Sequence, residues 1–127
     1  MTQLDGLQKA LLCTRAALDK KALDLVVVDV SGLTSIGDYL VICSGRSDRQ
    51  VQSIAQGIEE ALKTAGARSI SIEGARRGQW VLLDYDDVIV HVFYQPVREF
   101  YDLERLWEHA PRVQLPEPLQ SQTLAGR

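Results

Sequence analysis

The feature that most constrains the fold is an amphipathic helix in the middle of the chain. Polar residues at 44–47 break the chain ahead of it, and Ser47 followed by Gln50 matches the capping box that begins many helices. Its apolar positions recur on one helical face: Val51, Ile54, Ala55, Ile58 and Leu62. Gly66 suits the left-handed residue that ends a helix. A helix with a single apolar stripe buries it, so the rest of the chain must supply a second layer.

That second layer is predicted from five short runs rich in apolar, β-branched and aromatic residues. The predicted strands are residues 25–30, 39–43, 70–73, 80–83 and 88–94. The last two are separated only by residues 84–87, which favours a hairpin. The predicted strands therefore lie on both sides of the central helix along the chain.

Two further helices are predicted towards the ends of the chain. Leucines at helical spacing indicate a first helix that begins near Leu4 and ends around Lys20 and Lys21. Pro96 is placed to open a last helix, whose apolar seam comprises Val97, Phe100, Leu103 and Trp107. Tyr101 and Leu106 flank that seam.

The order helix, two strands, helix, three strands, helix predicts an α+β fold, a mixed five-stranded β-sheet with helices packed against it. A chain of 127 residues fits one domain, predicted over residues 1–110. Residues 111–127 hold three of the four prolines and little periodicity, so they are predicted to form an extended, largely disordered tail.

The formal net charge is −3, and the basic residues form no stripe in the sequence. This disfavours sequence-independent phosphate binding and predicts a basic protein surface as the partner, with little or no sequence-specific nucleic-acid contact. The stretch from Met1 to Lys21 interleaves charges with leucines and resembles no secretory signal. We therefore expect no membrane association and a cytoplasmic location.

Candidate catalytic residues are few. Cys13 and Cys43 have no cysteine or histidine at ligand spacing and are predicted to be reduced, buried thiols. Only His91 and His109 are histidines, and His91 shares a strand face with apolar residues, which favours a partly buried imidazole over a ligand or base. A pair of Cys43 as nucleophile and His91 as base stays open as a less favoured alternative.

Two other patterns have a functional and a purely structural interpretation. Residues 45–47 lie ahead of a helix and could hold a phosphate, although a turn with an N-cap explains the same residues. Asp84, Asp86 and Asp87 form the one dense carboxylate cluster, but loop aspartates usually satisfy turn backbone rather than a metal ion. We predict no catalytic residue, no cofactor and no metal site.

The C-terminal half interleaves aromatic residues with acids. The aromatic residues are Trp80, Tyr85, Tyr94, Tyr101 and Trp107, and the acids are Asp84, Asp87, Glu99 and Glu104. Such a set suits a docking patch, in which rings supply binding energy and acids select a basic partner. The alternative is that most of the rings belong to the core, and this holds at least as well for Phe100 and Trp107.

From about Leu7 to Trp107, the sequence resembles the ribosomal silencing factor, or Iojap-like, family. The resemblance rests on ordered blocks: DYLVICSG at 38–45, EG at 73–74, WVLLD at 80–84, DVIVHVF at 87–93 and REFYDLERLW at 98–107. The order and spacing of these blocks are more specific than any one of them.

The resemblance implies a fold similar to nucleotidyltransferases but without their catalytic carboxylates, and therefore no enzyme activity. It also implies a translational repressor that binds large-subunit ribosomal protein fourteen on the face that meets the small subunit. Such a protein blocks subunit joining when nutrients are scarce, and family members form homodimers. Two alternative functions stay open: a nucleotide-binding or nucleotidyltransferase-type enzyme, and a structural homodimer with no ribosomal role.

Carried over onto this sequence, the family's common surface positions give a predicted partner-binding set. Its members are Asp38, Tyr39, Trp80, Asp84, Asp87, His91, Glu99, Tyr101, Glu104 and Trp107. Asp86 departs from the family pattern, which commonly has glycine before the aspartate of the DVIVHVF block. Because aspartate tolerates a positive φ better than most residues, we expect the turn to survive.

Overall fold

The computed structural model describes residues 4–117 and 119. Its helices are α1 (Gly6–Asp19), α2 (Asp48–Thr64), α3 (Gln95–Tyr101) and a 3₁₀ helix (Leu103–Trp107). Its strands are β1 (Leu23–Asp29), β2 (Tyr39–Gly45), β3 (Ser71–Glu73), β4 (Trp80–Asp84) and β5 (Val88–Tyr94). All five predicted strands are confirmed, and their ends fall within two residues of the prediction.

The strands form one sheet in the order β1-β2-β5-β4-β3. β2 and β5 are parallel and the other neighbours are antiparallel, which confirms the mixed five-stranded sheet. The register places Ile42 and Leu82 on either side of His91, and Trp80 beside Phe93. Because side chains alternate along a strand, Trp80, Leu82 and His91 share one face of the sheet.

The opposite face carries α1 and α2, which bury the larger core against β2, β5 and β4. Ser47 caps α2 as predicted, since its hydroxyl accepts a hydrogen bond from the backbone N–H of Gln50 at 3.1 Å. The side chain of Gln50 accepts from the N–H of Arg46 at 2.6 Å. It thus reaches one residue further back than a capping box requires.

α3 and the 3₁₀ helix cover part of the other face and bury a smaller core. The prediction of one helix with a continuous seam is wrong, because Asp102 adopts a left-handed conformation (φ 48°) between them. Val97, Leu103 and Trp107 pack against the sheet, whereas Phe100 is 79% exposed. The break and the tighter 3₁₀ turn change the direction of the later side chains relative to α3.

The first residues of the predicted tail form backbone hydrogen bonds with β1. The backbone N–H of Asp29 donates to the carbonyl of Pro111, and that of Val113 donates to the carbonyl of Val27, both at 2.8 Å. Leu119 is buried in the larger core. The cause is the outer edge of β1, whose polar backbone groups need partners. The other residues of the predicted tail, 118 and 120–127, lie outside the described residues.

Within the described residues, no helix is long and apolar enough to span a membrane.

Candidate docking surface

The predicted partner-binding residues lie at different places on the sheet. β4 runs from Trp80 at one end to Asp84 at the other, about 13 Å apart at the usual rise of a strand. We call the surroundings of Trp80 the aromatic end, which comprises Trp80, His91, Phe93, Phe100 and Tyr101. We call the other the acidic end, which comprises Asp38, Tyr39, Asp84, Asp86 and Asp87.

Trp80 lies at the centre of the aromatic end. Its indole N–H donates a hydrogen bond to Nδ1 of His91 at 3.0 Å. Its ring centroid is 4.8 Å from that of Phe93 and 5.0 Å from that of Tyr101, both in tilted contacts. These contacts fix a half-buried ring, one part of which faces solvent.

His91 lies beneath this ring and is only 7% exposed, which confirms the predicted buried imidazole. Burial lowers its pKa to about 4, because the charged form loses hydration. The imidazole is therefore neutral at physiological pH and accepts the indole hydrogen bond. A contact between His91 and a partner remains a prediction, and the geometry gives the residue a positioning role.

The pairing of Cys43 with His91 as nucleophile and base is wrong. Cys43 is opposite Val92 in the register, so it faces α1 and α2, whereas His91 faces the other side of the sheet. Burial raises the pKa of the Cys43 thiol to about 12 and that of Cys13 to about 12 as well. Both thiols are free and buried, as predicted.

Exposed apolar side chains extend the aromatic end. Tyr101 is 56% exposed, and Phe100, in edge contact with it at 5.0 Å, is 79% exposed. Leu106 is 74% exposed on the 3₁₀ helix, and the acid Glu99 is exposed on α3. Sequence reasoning assigned Phe100 to a buried seam and missed its exposure. Clustered exposed apolar side chains often mark a binding surface.

Glu104 and Trp107 are tied into the fold. Glu104 is half-buried and accepts a hydrogen bond from Nε of Arg98 at 2.6 Å. The buried Arg98 also donates from Nη1 to the hydroxyl of Ser44 at 2.8 Å, so it joins α3 and the 3₁₀ helix to β2. Trp107 is half-buried against the smaller core. Both residues were predicted to bind a partner, and both already make contacts within the fold.

The acidic end is also partly engaged. Asp87 accepts a hydrogen bond from Lys9 of α1 at 2.9 Å, and Asp84 accepts from the backbone N–H of Asp86 at 2.8 Å. Asp86 has φ 75°, so the expected positive φ is confirmed. Asp38 is exposed, and Tyr39 is half-buried.

Tyr85 does not belong to a docking surface. It is buried in the larger core, where burial raises its pKa. Across residues 4–117 and 119, no group of three or more histidine, cysteine, aspartate and glutamate side chains could hold a metal ion. In this cluster, Asp84 accepts from the backbone N–H of Asp86, and Asp87 pairs with Lys9 of α1.

The turn at residues 45–47 was the candidate phosphate site. The backbone N–H of Arg46 donates to the side chain of Gln50, and the hydroxyl of Ser47 accepts from the backbone N–H of Gln50. The capping explanation accounts for these contacts.

Comparisons with known proteins identify the family. The family model described as "Ribosomal silencing factor during starvation" matches residues 4–126. The chain belongs to the ribosomal silencing factor family. A ribosomal silencing factor from Bacillus subtilis is 42% identical over 110 residues, covering 85% of this chain and 93% of the relative. One from Zymomonas mobilis is 45% identical over 96 residues, covering 76% of this chain and 72% of the relative.

A solved structure supports the same fold for this ribosomal silencing factor family member. The crystal structure of a protein from Chromobacterium violaceum is 36% identical and superposes with a TM-score of 0.81. The match covers 90% of this chain and 92% of the other. The similarity to nucleotidyltransferases remains a prediction.

Proposed function

We propose that this protein is a translational repressor that binds the large ribosomal subunit through the aromatic end. It contacts large-subunit ribosomal protein fourteen on the intersubunit face and sterically blocks joining of the small subunit in the cytoplasm. The observation that carries the proposal is the exposure of Phe100 and Tyr101 beside a fixed Trp80, in a member of the ribosomal silencing factor family.

The geometry suits docking more than catalysis. Trp80 is held by His91, Phe93 and Tyr101, so the ring loses little conformational freedom when a partner covers it. Aromatic side chains of this kind dominate the energy of many protein interfaces.

The acidic side chains supply charge complementarity to a basic protein. Glu99 is exposed near the aromatic end, and Asp84 shares the open face of β4 with Trp80 and the half-buried Leu82. A typical interface of about 800 Å² per partner is wide enough to cover both ends of β4. We propose that Asp38 and Asp87 lie at its rim, where charges steer association more than they hold the complex.

Gradient sedimentation with separated ribosomal subunits tests the proposal. We expect the purified protein to sediment with free large subunits and to be absent from joined ribosomes. Cross-linking then identifies the ribosomal protein that it touches. Failure to bind isolated large subunits at physiological salt would refute the proposal.

The same exposed rings could join two copies of the chain, as the family resemblance implies. Measuring the mass of the free protein and of the Phe100→Ser variant in solution tests this proposal. A dimer that survives the substitution would place the contact between copies elsewhere.

A further inference from the structure

Arginines that are far apart in the sequence lie together at the aromatic end of the sheet. β2 ends at Gly45, so Arg46 follows it directly, and Arg49 lies in the first turn of α2. Arg76 and Arg77 belong to the loop that precedes β4, which begins at that same end. Residues 46–49 and 74–78 together contain four arginines and one acid, Asp48.

Side-chain and backbone contacts fix the loop at residues 74–78 against α2. Nε2 of Gln52 donates to the carbonyls of Ala75 at 3.0 Å and Arg76 at 2.8 Å. Gly78 has φ 66°, and a Cβ there would lie 2.5 Å from the carbonyl oxygen of Asp48. Only glycine therefore permits this close approach of the loop to the start of the helix.

A fifth cation flanks the group on the other side of α2. Nε2 of Gln50 donates to the carbonyl of Lys21 at 3.0 Å, which ties the turn after α1 to the same end of the helix. We call Lys21, Arg46, Arg49, Arg76 and Arg77 the basic end. All five are exposed, and none forms an ion pair with another residue in the part of the chain that the structure describes.

This concentration runs against the composition of the chain, which has 14 basic and 17 acidic residues. Asp38, Asp84 and Asp87 form an acidic group at the other end of the strands, so the two ends differ in charge. Five unpaired like charges repel one another unless an anionic partner lies beside them. Arginine forks match phosphate oxygens in particular, through paired hydrogen bonds.

We propose that the basic end binds the phosphate backbone of RNA, without reading its sequence. The inference deepens the proposed function and rests on it. The RNA would belong to the large subunit and lie beside the protein that the aromatic end contacts. Arg77 precedes Trp80 by three residues, so both surfaces can engage one particle together. The charge pattern of the sequence alone argued against phosphate binding, and the fold reverses that expectation.

Two triple variants with equal net charge test the inference. The first variant replaces Arg49, Arg76 and Arg77 with glutamine. The control replaces Arg15, Lys63 and Arg68 with glutamine, and these three residues are exposed and lie outside the basic end. Binding to a labelled short RNA duplex is measured over a salt series by fluorescence anisotropy, and binding to large subunits is measured in parallel.

We expect the first variant to reduce the slope of log affinity against log salt by about 3, roughly 1 for each phosphate contact removed. The control should keep the slope of the unmodified protein. Equal changes in both variants, or no duplex binding by the unmodified protein, would overturn the inference. Loss of subunit affinity with unchanged duplex binding would also overturn it, in favour of an acidic protein segment.

Tyr101→Ala separates this inference from the proposed function. It should weaken subunit binding and leave duplex binding intact. If the unmodified protein bound the duplex but not the subunit, the proposed function would fail and the phosphate surface would stand.

Discussion

Nδ1 of His91 accepts a hydrogen bond from the indole nitrogen of Trp80 at 3.0 Å, so a buried imidazole fixes the direction of a ring that reaches solvent. The acceptor belongs to β5 and the donor to β4, and Leu82 lies opposite His91 in the register. The sheet itself thus sets the orientation of Trp80. This makes His91 a positioning residue for the aromatic end.

Substitution of His91 separates this hydrogen bond from simple packing. Asparagine can place its side-chain oxygen near the position of Nδ1, whereas leucine cannot accept the bond. We expect His91→Leu to weaken large-subunit binding and to speed exchange of the indole N–H, and His91→Asn to restore both in part, since an unsatisfied donor costs about 1 to 3 kcal/mol. NMR measures the exchange of the indole N–H, and sedimentation measures binding to the large subunit. Equal exchange in the two variants would contradict the positioning role.

The same histidine makes stability depend on pH. Burial lowers its pKa to about 4 in the folded protein, below the ordinary value of 6.5. As the pH falls from 6.5 towards 4, the unfolded chain binds the proton first, so the free energy of unfolding decreases. The loss attributable to His91 is about 3 kcal/mol over that range.

Urea denaturation at a series of pH values checks this expectation. The His91→Asn variant serves as the reference, because it lacks the titrating group and keeps the other acids and bases. Parallel pH profiles for the two proteins would show that His91 is not protonated preferentially in the unfolded state.

Tyr101 is the side chain whose truncation should affect docking most directly. It is half-exposed and packs on Trp80, so its loss removes both contact area and support for the neighbouring ring. We expect Tyr101→Ala to weaken large-subunit binding by about 2 kcal/mol, roughly 30-fold. Ile36→Ala, a loss of exposed apolar surface in the loop before β2, is the control and should bind normally. Unchanged affinity for Tyr101→Ala would mean that the docking surface lies elsewhere.

Asp87 needs a test that distinguishes docking from folding. It pairs with Lys9 at 2.9 Å, so Asp87→Lys alone should lower the free energy of unfolding by about 1 kcal/mol. The exchanged pair, Lys9→Asp with Asp87→Lys, should recover most of that loss in urea denaturation. If the exchanged pair is stable and still binds subunits weakly, Asp87 contacts the partner. Full recovery of binding would limit Asp87 to its internal role.

The turn at Asp86 gives a prediction about stability alone. Its φ of 75° strains most side chains, but glycine adopts it freely. We expect Asp86→Gly to leave the unfolding free energy nearly unchanged and Asp86→Val to lower it by about 1 to 2 kcal/mol. Thermal unfolding checks both. A valine variant as stable as the glycine variant would show that the turn relaxes.

Features set by neighbouring residues could be predicted from the sequence. The apolar spacing of α2 and the largely apolar sequence of β5 specify local structure, and the structure confirms both elements. The positive φ at Asp86 was expected from the glycine that the family commonly has at this position. The sheet could be predicted because its strands are short and separated by turn residues, and all of them except the exposed β3 are largely apolar.

Features set by distant residues could not be predicted. Arg98 donates to Ser44 on β2, a contact that no helical pattern encodes. The left-handed conformation of Asp102 interrupts the helix nearby. Phe100, which the seam interpretation buried, lies just before this break and is exposed. The basic end could not be predicted from the sequence, because its arginines come from two distant segments. Only the packing of residues 74–78 on α2 brings these segments together.

The hydrogen bonds of Pro111 and Val113 to β1 also limit how copies of the chain can associate. One border of the sheet is already occupied by its own chain, and the other border is β3, a strand of only three residues. A continuous sheet that joined two molecules through β1 would therefore require this segment to leave β1 first. Association through side chains avoids that cost, and strand-by-strand polymerisation is blocked at the longer border.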